Sequence, residues 1–311
     1  MNRSLLGKDR RLALQLGAFS ACLVLTFAAF RVVFANANLL FEYETLKQNG
    51  FYLWAVLALF LLWIYIKRKE IIEATHRARD TKWLIFGLVL VGASLELLYY
   101  VAVYLNSLPL MLFAIGFVIV AQFSFFFGKA SKIPLMLLGL FGIAVGFPIL
   151  FESAFTAWFS RVTAVLSVST LQLFGMPVSL NGVTVALNSL LGYEIITKVD
   201  ARCAGSDSLA IFLAIFGLMV VDRRPNTKAL IGLLILGVVG TYLQNFIRLL
   251  LLFGAGYYYG AGALWAVHDY ASYLLFPLWF VGFVVIYLRH ANRSERSGIG
   301  RPTSAENRLE L

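Results

Sequence analysis

The chain has 311 residues, of which 60% are hydrophobic and only 14% charged, with 27 phenylalanines. A soluble globule carries roughly 25% charged residues, so the composition excludes a soluble domain and leaves an integral membrane protein. The net charge of +10 does not point to nucleic acid, because the basic residues sit in short clusters between apolar runs, the pattern of loops retained on the cytoplasmic side.

A membrane span needs about 20 apolar residues. About eight runs qualify, in chain order 12–35, 51–66, 83–104, 109–127, 133–151, 204–221, 229–254 and 269–289. The first is long enough to span and is not followed by a small-residue cleavage site, so it reads as a retained helix rather than a removed signal. The second is short, but Lys67 and Arg68 at its end can snorkel to the surface. The predicted fold is an all-α polytopic membrane protein of about eight transmembrane helices. A small extracytoplasmic β-hairpin and an interfacial or re-entrant helix precede Cys203. Residues 1–292 read as a single polytopic domain, with its chemistry in roughly 133–290. Residues 293–311, rich in Ser, Gly, Arg and Glu, read as a disordered cytoplasmic tail.

Orientation follows from Lys and Arg. One set of connections holds Arg3, Lys8, Arg10 and Arg11, then the 67–82 cluster, Lys129 and Lys132, Arg223, Arg224 and Lys228, and the Arg-rich tail. Outside that set fall Arg31, Lys47, Arg161, Lys198, Arg202 and Arg248. Both termini are therefore predicted to be cytoplasmic, in a multi-pass protein of the plasma membrane. The count works only if 154–174 does not cross, since a crossing there would move the basic 222–228 loop outside. Thr156, Ser160, Thr163, Ser167 and Thr170 recur in this segment at steps of four and three, which puts them on one helical face. Two readings stand: a close helix–helix seam of small residues, or a lining for an extended peptide or an incoming helix.

From residue 177 the character changes. Val178-Ser179-Leu180-Asn181-Gly182-Val183-Thr184-Val185 carries an Asn-Gly turn signal between β-prone residues, and 193–199 is again β-prone. A hairpin or strand pair on the outer side thus leads directly into Arg202-Cys203-Ala204-Gly205-Ser206-Asp207-Ser208.

Only two cysteines occur, so no disulfide framework is encoded. Cys22 lies inside the first apolar run and reads as a core residue. Cys203 starts a helix, where the N-terminal dipole is expected to lower a thiol pKa. The seventh run carries Asn245 and Arg248 in its outer half, three residues apart on one face, so that Asn245 can orient the guanidinium. The eighth begins at His268-Asp269. A thiol, an arginine inside a span and an imidazole thus reach one membrane depth on one side. They suit acyl transfer: Cys203 as nucleophile, His268 moving protons, and Arg248 stabilising an oxyanion or clamping substrate backbone. Asp269 is adjacent to His268 in sequence and need not face it. Glu96 in the third run and Gln122 in the fourth are polar residues in apolar surroundings. Glu96 is a supporting candidate at the site or a pairing residue within the bundle. No metal-ligand cluster is visible, and no metal or cofactor is expected.

At these residues the sequence resembles the exosortase/archaeosortase family. Cys203-Ala204-Gly205 with Ser208 resembles its nucleophile motif, Asn245-Phe246-Ile247-Arg248 its Asn-x-x-Arg motif, and His268-Asp269-Tyr270-Ala271-Ser272 its His motif, where Gly often stands in place of Ser272. The match in order and spacing covers roughly 100–290. The resemblance implies a membrane cysteine transpeptidase or protease with an outward-facing site, similar in role to Gram-positive sortases. Its implied partners are membrane-anchored proteins with C-terminal sorting signals: a short motif, an apolar span and a basic cluster. The implied acceptor is a lipid or polysaccharide-linked nucleophile. By this resemblance Cys203 is nucleophile, Arg248 stabiliser and His268 acid/base. The alternatives are a transporter, or an outer-leaflet acyltransferase acting on lipid.

Overall fold

In a computed structural model the described residues are 14–26, 28, 52–75, 81–100 and 108–296. The outer ends of the first and third predicted spans and the tail from 297 lie outside them. The chain forms two compact units that part between Val145 and Gly146.

The first unit holds α1 (Leu14–Thr26), α2 (Tyr52–Ile66), α3 (Arg68–Thr75), α4 (Thr81–Tyr100) and α5 (Leu108–Phe127). A short 3-10 turn, Gly128–Ser131, links α5 to α6 (Lys132–Leu173), the helix that runs on into the second unit. Aromatic edges bind α1 to α5: the Phe19 ring lies 5.4 Å from those of Phe123 and Phe127. Gln122 donates to Thr26 Oγ1, and Ser94 Oγ donates to the Ala114 carbonyl at 2.9 Å. In an apolar setting these polar groups find each other because an unpaired one is costly. Gln122 is thus accounted for as a helix–helix contact. Glu96 sits on the exposed face of α4, and no described residue hydrogen-bonds to it.

Among the described residues, four helical stretches are long and apolar enough to cross a membrane: Thr81–Tyr100, Leu110–Pro148, Thr227–Tyr259 and Ala261–Arg293. Leu14–Thr26 and Val56–Ile66 are apolar but shorter. The structure differs from expectation between 133 and 174. There α6 runs for 42 residues with Pro148 inside it, instead of a span followed by a separate helix. Nothing after Pro148 breaks the helix, and a proline within an apolar helix is tolerated where neighbours re-satisfy the backbone. Its hydroxyl face is a packed seam. Ser160, Thr163 and Ser167 are buried, Thr163 Oγ1 lies 3.4 Å from the Tyr242 hydroxyl, and Thr170 donates back to Leu166 O. The side chain of Thr156 lies outside the description.

The second unit continues with β1 (Val178–Asn181), β2 (Thr184–Asn188) and β3 (Glu194–Lys198). They form an antiparallel sheet in the order β1-β2-β3. Asn181 faces Thr184 across a two-residue turn, and Gly182 takes its first position with φ 65°, a conformation the primed hairpin turns require. Then come α7 (Ala201–Ala204), α8 (Ser206–Asp222), α9 (Thr227–Tyr259) and α10 (Ala261–Arg296). Helix α10 therefore takes in the first residues of the predicted tail. One face of the sheet supplies Val178, Val185, Leu187 and Ile195 to a core shared with Ala164, Val168 and Leu171 of α6, and Leu249, Leu252 and Phe253 of α9. This core lies directly under Cys203, which packs against it. At the opposite end of α8, Phe212, Phe216, Phe283 and Tyr287 form a second core, where Tyr287 donates to Arg223 O at 2.7 Å.

Helices α8, α9 and α10 approach closely because of glycine. A Cβ on Gly237 would lie 1.8 Å from Phe212 Cζ. Phe212 is fully buried, with Phe216 and Phe283 packed on it, so it has nowhere to go. Gly232 on the same helix meets nothing within 4 Å. Gly237→Ala should therefore destabilise the protein by about 1–3 kcal/mol through overpacking, while Gly232→Ala should be neutral or slightly stabilising. Thermal melts of both variants in detergent check this; equal midpoints would refute the packing argument.

Candidate functional site

Cys203 is placed by a cap. Asp200 is extended (φ −86°, ψ −179°) and its carboxylate accepts from the Cys203 backbone N–H at 2.7 Å, the bond of an N-cap to the third helical position. The turn closes five residues after Asp200 at Gly205, whose φ of 111° is left-handed. Glycine is needed there twice over, since a Cβ would also lie 2.9 Å from Asn245 Cγ. The chain thus stops, turns and restarts as α8, leaving the Cys203 carbonyl outside any regular helical bond.

That carbonyl is held by α9. Asn245 Nδ2 donates to Cys203 O at 2.8 Å, and Arg248 Nη2 donates to the same oxygen at 3.2 Å. The two share a face of α9, as a spacing of three dictates. Asn245 is buried to 1% exposure, so its amide must be paired. It was expected to orient the guanidinium; instead it grips the Cys203 backbone beside it. Arg248 is oriented from α10, where Ser272 Oγ accepts from Nη1 at 2.7 Å. Its Nε is buried without a partner among the described residues. Sequence reasoning noted Ser272 only where Gly often stands; the structure makes it the acceptor that sets the arginine.

The imidazole completes the group. Cys203 Sγ and His268 Nε2 are 3.9 Å apart, and His268 Nδ1 lies 3.3 Å from Asp269 Oδ1. Asp269 therefore does face its neighbour. With the Nδ1 proton donated to Asp269, Nε2 presents its lone pair to the thiol. Trp265 stands edge-on to the ring at 5.4 Å. Cys203, Arg248 and His268 are thus brought together, with Asn245 and Asp269 beside them. Ser208 lies half-buried in the first turn of α8 and bonds to none of them. Cys22 belongs to the first unit. A groove of about 510 Å³ between Gln172, Met176, Ser179, Ala186 and Glu194 includes none of the predicted site residues.

The thiol's acidity departs from the sequence expectation. Burial pushes Cys203 up to about 11, and the Asp200 carboxylate adds to this; Arg248 opposes it. Helix α7 has only four residues, too few for a useful dipole, and the residue that caps it is itself an anion. A thiol raised this far favours its neutral form over a stored thiolate.

Residues 44–285 match the family model of the transmembrane exosortases. The chain belongs to the transmembrane exosortase family. The match begins well before the first of the three motifs and takes in α2 to α5, where the sequence carries only hydropathy. No curated protein and no solved structure matches the chain. This exosortase-family protein is membrane-embedded through several apolar helices.

Because the Cys203 thiol is raised, its alkylation in a Cys22→Ala background should keep accelerating as pH climbs past 9 towards about 11. Asp200→Asn retains the cap acceptor but removes the anion, so alkylation at pH 8 should become faster. Iodoacetamide rates across pH measure both. An apparent pKa below 7 would instead show a preformed thiolate.

Proposed function

We propose that this protein is a cysteine transpeptidase or protease that cleaves C-terminal sorting signals of exported proteins at the outer face of the plasma membrane. The observation that carries the reading is the 3.9 Å approach of Cys203 Sγ to His268 Nε2, beside an arginine that binds the nucleophile's carbonyl. Family membership supplies the reaction class. The thiol proton passes to His268 as sulfur attacks the peptide carbonyl at the motif. The tetrahedral intermediate then collapses by breaking the C–N bond, and the leaving amine takes the proton back from the imidazolium. The thioester left on Cys203 is resolved by water or by the amine or hydroxyl of a surface acceptor. A raised thiol suits this order of events, since the sulfur is neutral until a substrate and His268 are both in place. Arg248 has hydrogens beyond those given to Cys203 O and Ser272, and supplies positive charge where the oxyanion develops.

In the proposed arrangement both termini are cytoplasmic. Helices α8, α9 and α10 are spans, α1, α2 and α4 to α6 supply the other five, and the second half of α6 lies with the sheet outside. The exposed apolar residues Tyr193, Tyr258, Tyr259 and Trp265 support an interfacial level near the site, where tyrosine and tryptophan collect.

Two experiments follow. Cys203→Ala should abolish tail removal from an exported substrate and Cys22→Ala should leave it intact. Arg248→Lys, which keeps the charge but loses the planar fork, should lower processing on the order of 100-fold with folded yield retained. Mass shifts of the substrate in cells report each, and normal processing by Cys203→Ala would end the covalent mechanism. For topology, an impermeant thiol reagent should label Leu190→Cys and spare Arg224→Cys in intact cells. The reverse pattern would overturn the arrangement.

A further inference from the structure

We propose that the free edge of β3 is the substrate's docking site: an extended stretch of the substrate just ahead of the cleaved bond adds to the sheet as a fourth strand and is led along β3 to Cys203. This rests on the reading of Cys203 as a peptide-cleaving nucleophile.

The ladder shows which backbone groups are available. Strands β2 and β3 pair antiparallel, with Thr184 opposite Lys198 and Asn188 opposite Glu194. Val199 N donates to Val183 O, and Ser189 N donates to Tyr193 O, each at 2.9 Å. Hydrogen-bonded pairs alternate in such a ladder, so they fall on the odd residues of β3. The N–H and C=O groups of Glu194, Ile196 and Lys198 therefore point away from β2. The other side of β2 is taken by β1, which leaves β3 at the sheet's margin. Among the described residues no backbone group pairs with that margin. An unpaired edge is a template for another strand unless proline, a bulge or a cover blocks it. β3 has no proline and no bulge.

Side chains agree with this. Ile195 and Val199 turn into the core, while Glu194, Ile196 and Lys198 lie on the open face, with Ile196 64% exposed. A partner strand would meet one apolar contact flanked by charges of opposite sign. Main-chain pairing would supply affinity and Ile196 a preference for side chain, the division of labour in strand addition.

Continuity with the site selects the occupant. Only Val199 and Asp200 separate β3 from α7, and Asp200 is the cap that positions Cys203. A chain paired to β3 is thereby aimed at the thiol. Direction follows from the proposed topology. β3 runs towards the membrane and ends in α7 and α8. A substrate whose motif precedes its own apolar span runs the same way. The added strand is therefore parallel to β3.

The probe is an exported host protein ending in an apolar span and an arginine cluster, whose tail the wild-type enzyme removes. Ile196→Pro deletes an edge N–H that β2 does not use, a substitution an edge strand tolerates. Processing should slow about tenfold, the worth of a lost main-chain bond and an obstructed register. Ile196→Ala keeps the N–H and loses only the side-chain contact, so it should slow processing less than Ile196→Pro does. A folded Ile196→Pro that processes at the normal rate overturns the proposal. If that variant folds poorly, disulfide capture decides. Ile196→Cys in a Cys22→Ala, Cys203→Ala background is paired with single cysteines walked through about eight substrate residues ahead of the cut, a usual strand length. Crosslinks should form at alternate positions, as side chains alternate along a strand; their absence, or crosslinks without alternation, overturns it. Tail removal that no longer depends on Cys203 would instead remove the enzymatic reading itself.

Discussion

The carbonyl oxygen of Cys203 is the point on which the site is built. A short turn that begins at Asp200 and ends at Gly205 lifts this oxygen out of regular helix. Two donors from α9, Asn245 and Arg248, close on it. Charge-assisted and buried bonds of this sort tolerate little displacement, because each donor would otherwise be left unpaired in an apolar interior. The sulfur is therefore not placed by its own side-chain contacts. It is placed because its backbone is clamped from below and capped from behind.

The same clamp joins three helices that are distant in sequence. Arg248 passes the constraint to α10 through Ser272, and α10 carries His268 one turn earlier on the same face. The thiol, the guanidinium and the imidazole thus share one rigid frame whose foundations are the core of sheet, α6 and α9 and the glycine-mediated packing at the other end of α8. Placing these groups on helices rather than loops keeps the thiol–imidazole distance short.

Electrostatics in this frame works against a resting thiolate. Burial and the Asp200 carboxylate outweigh Arg248. At the proposed outward-facing site a raised thiol would resist oxidation, since a neutral thiol is the less oxidisable form. In the proposed mechanism activation falls to His268, whose Nδ1 lies against Asp269.

Much of this was legible in the sequence. Charge scarcity identified a membrane protein, Gly182 marked the start of a turn that Val183 rather than Asn181 completes, and the spacing of Asn245 from Arg248 set both on one face. The three polar islands were legible as separate groups, and the structure brings Cys203, Arg248 and His268 together. What the sequence misjudged depended on contacts between remote elements. The Cys203 thiol is raised rather than lowered, because burial and the Asp200 carboxylate dominate, and burial is a property of the packed unit. Asn245 was assigned to the arginine, yet it binds the Cys203 carbonyl, since which acceptor an amide meets is decided by the turn at Gly205. Asp269 was left undecided by adjacency alone. The hydroxyl stripe at 160–167 admitted two readings until its burial made it a seam. Residues 132–173 looked like two elements because polarity changes at Glu152 and Ser153, while the backbone continues because neither residue breaks a helix. Local pattern determined which residues belong together; only the tertiary structure decided which atoms bond, because hydrogen bonding and desolvation are set by distances between elements that are far apart in the chain.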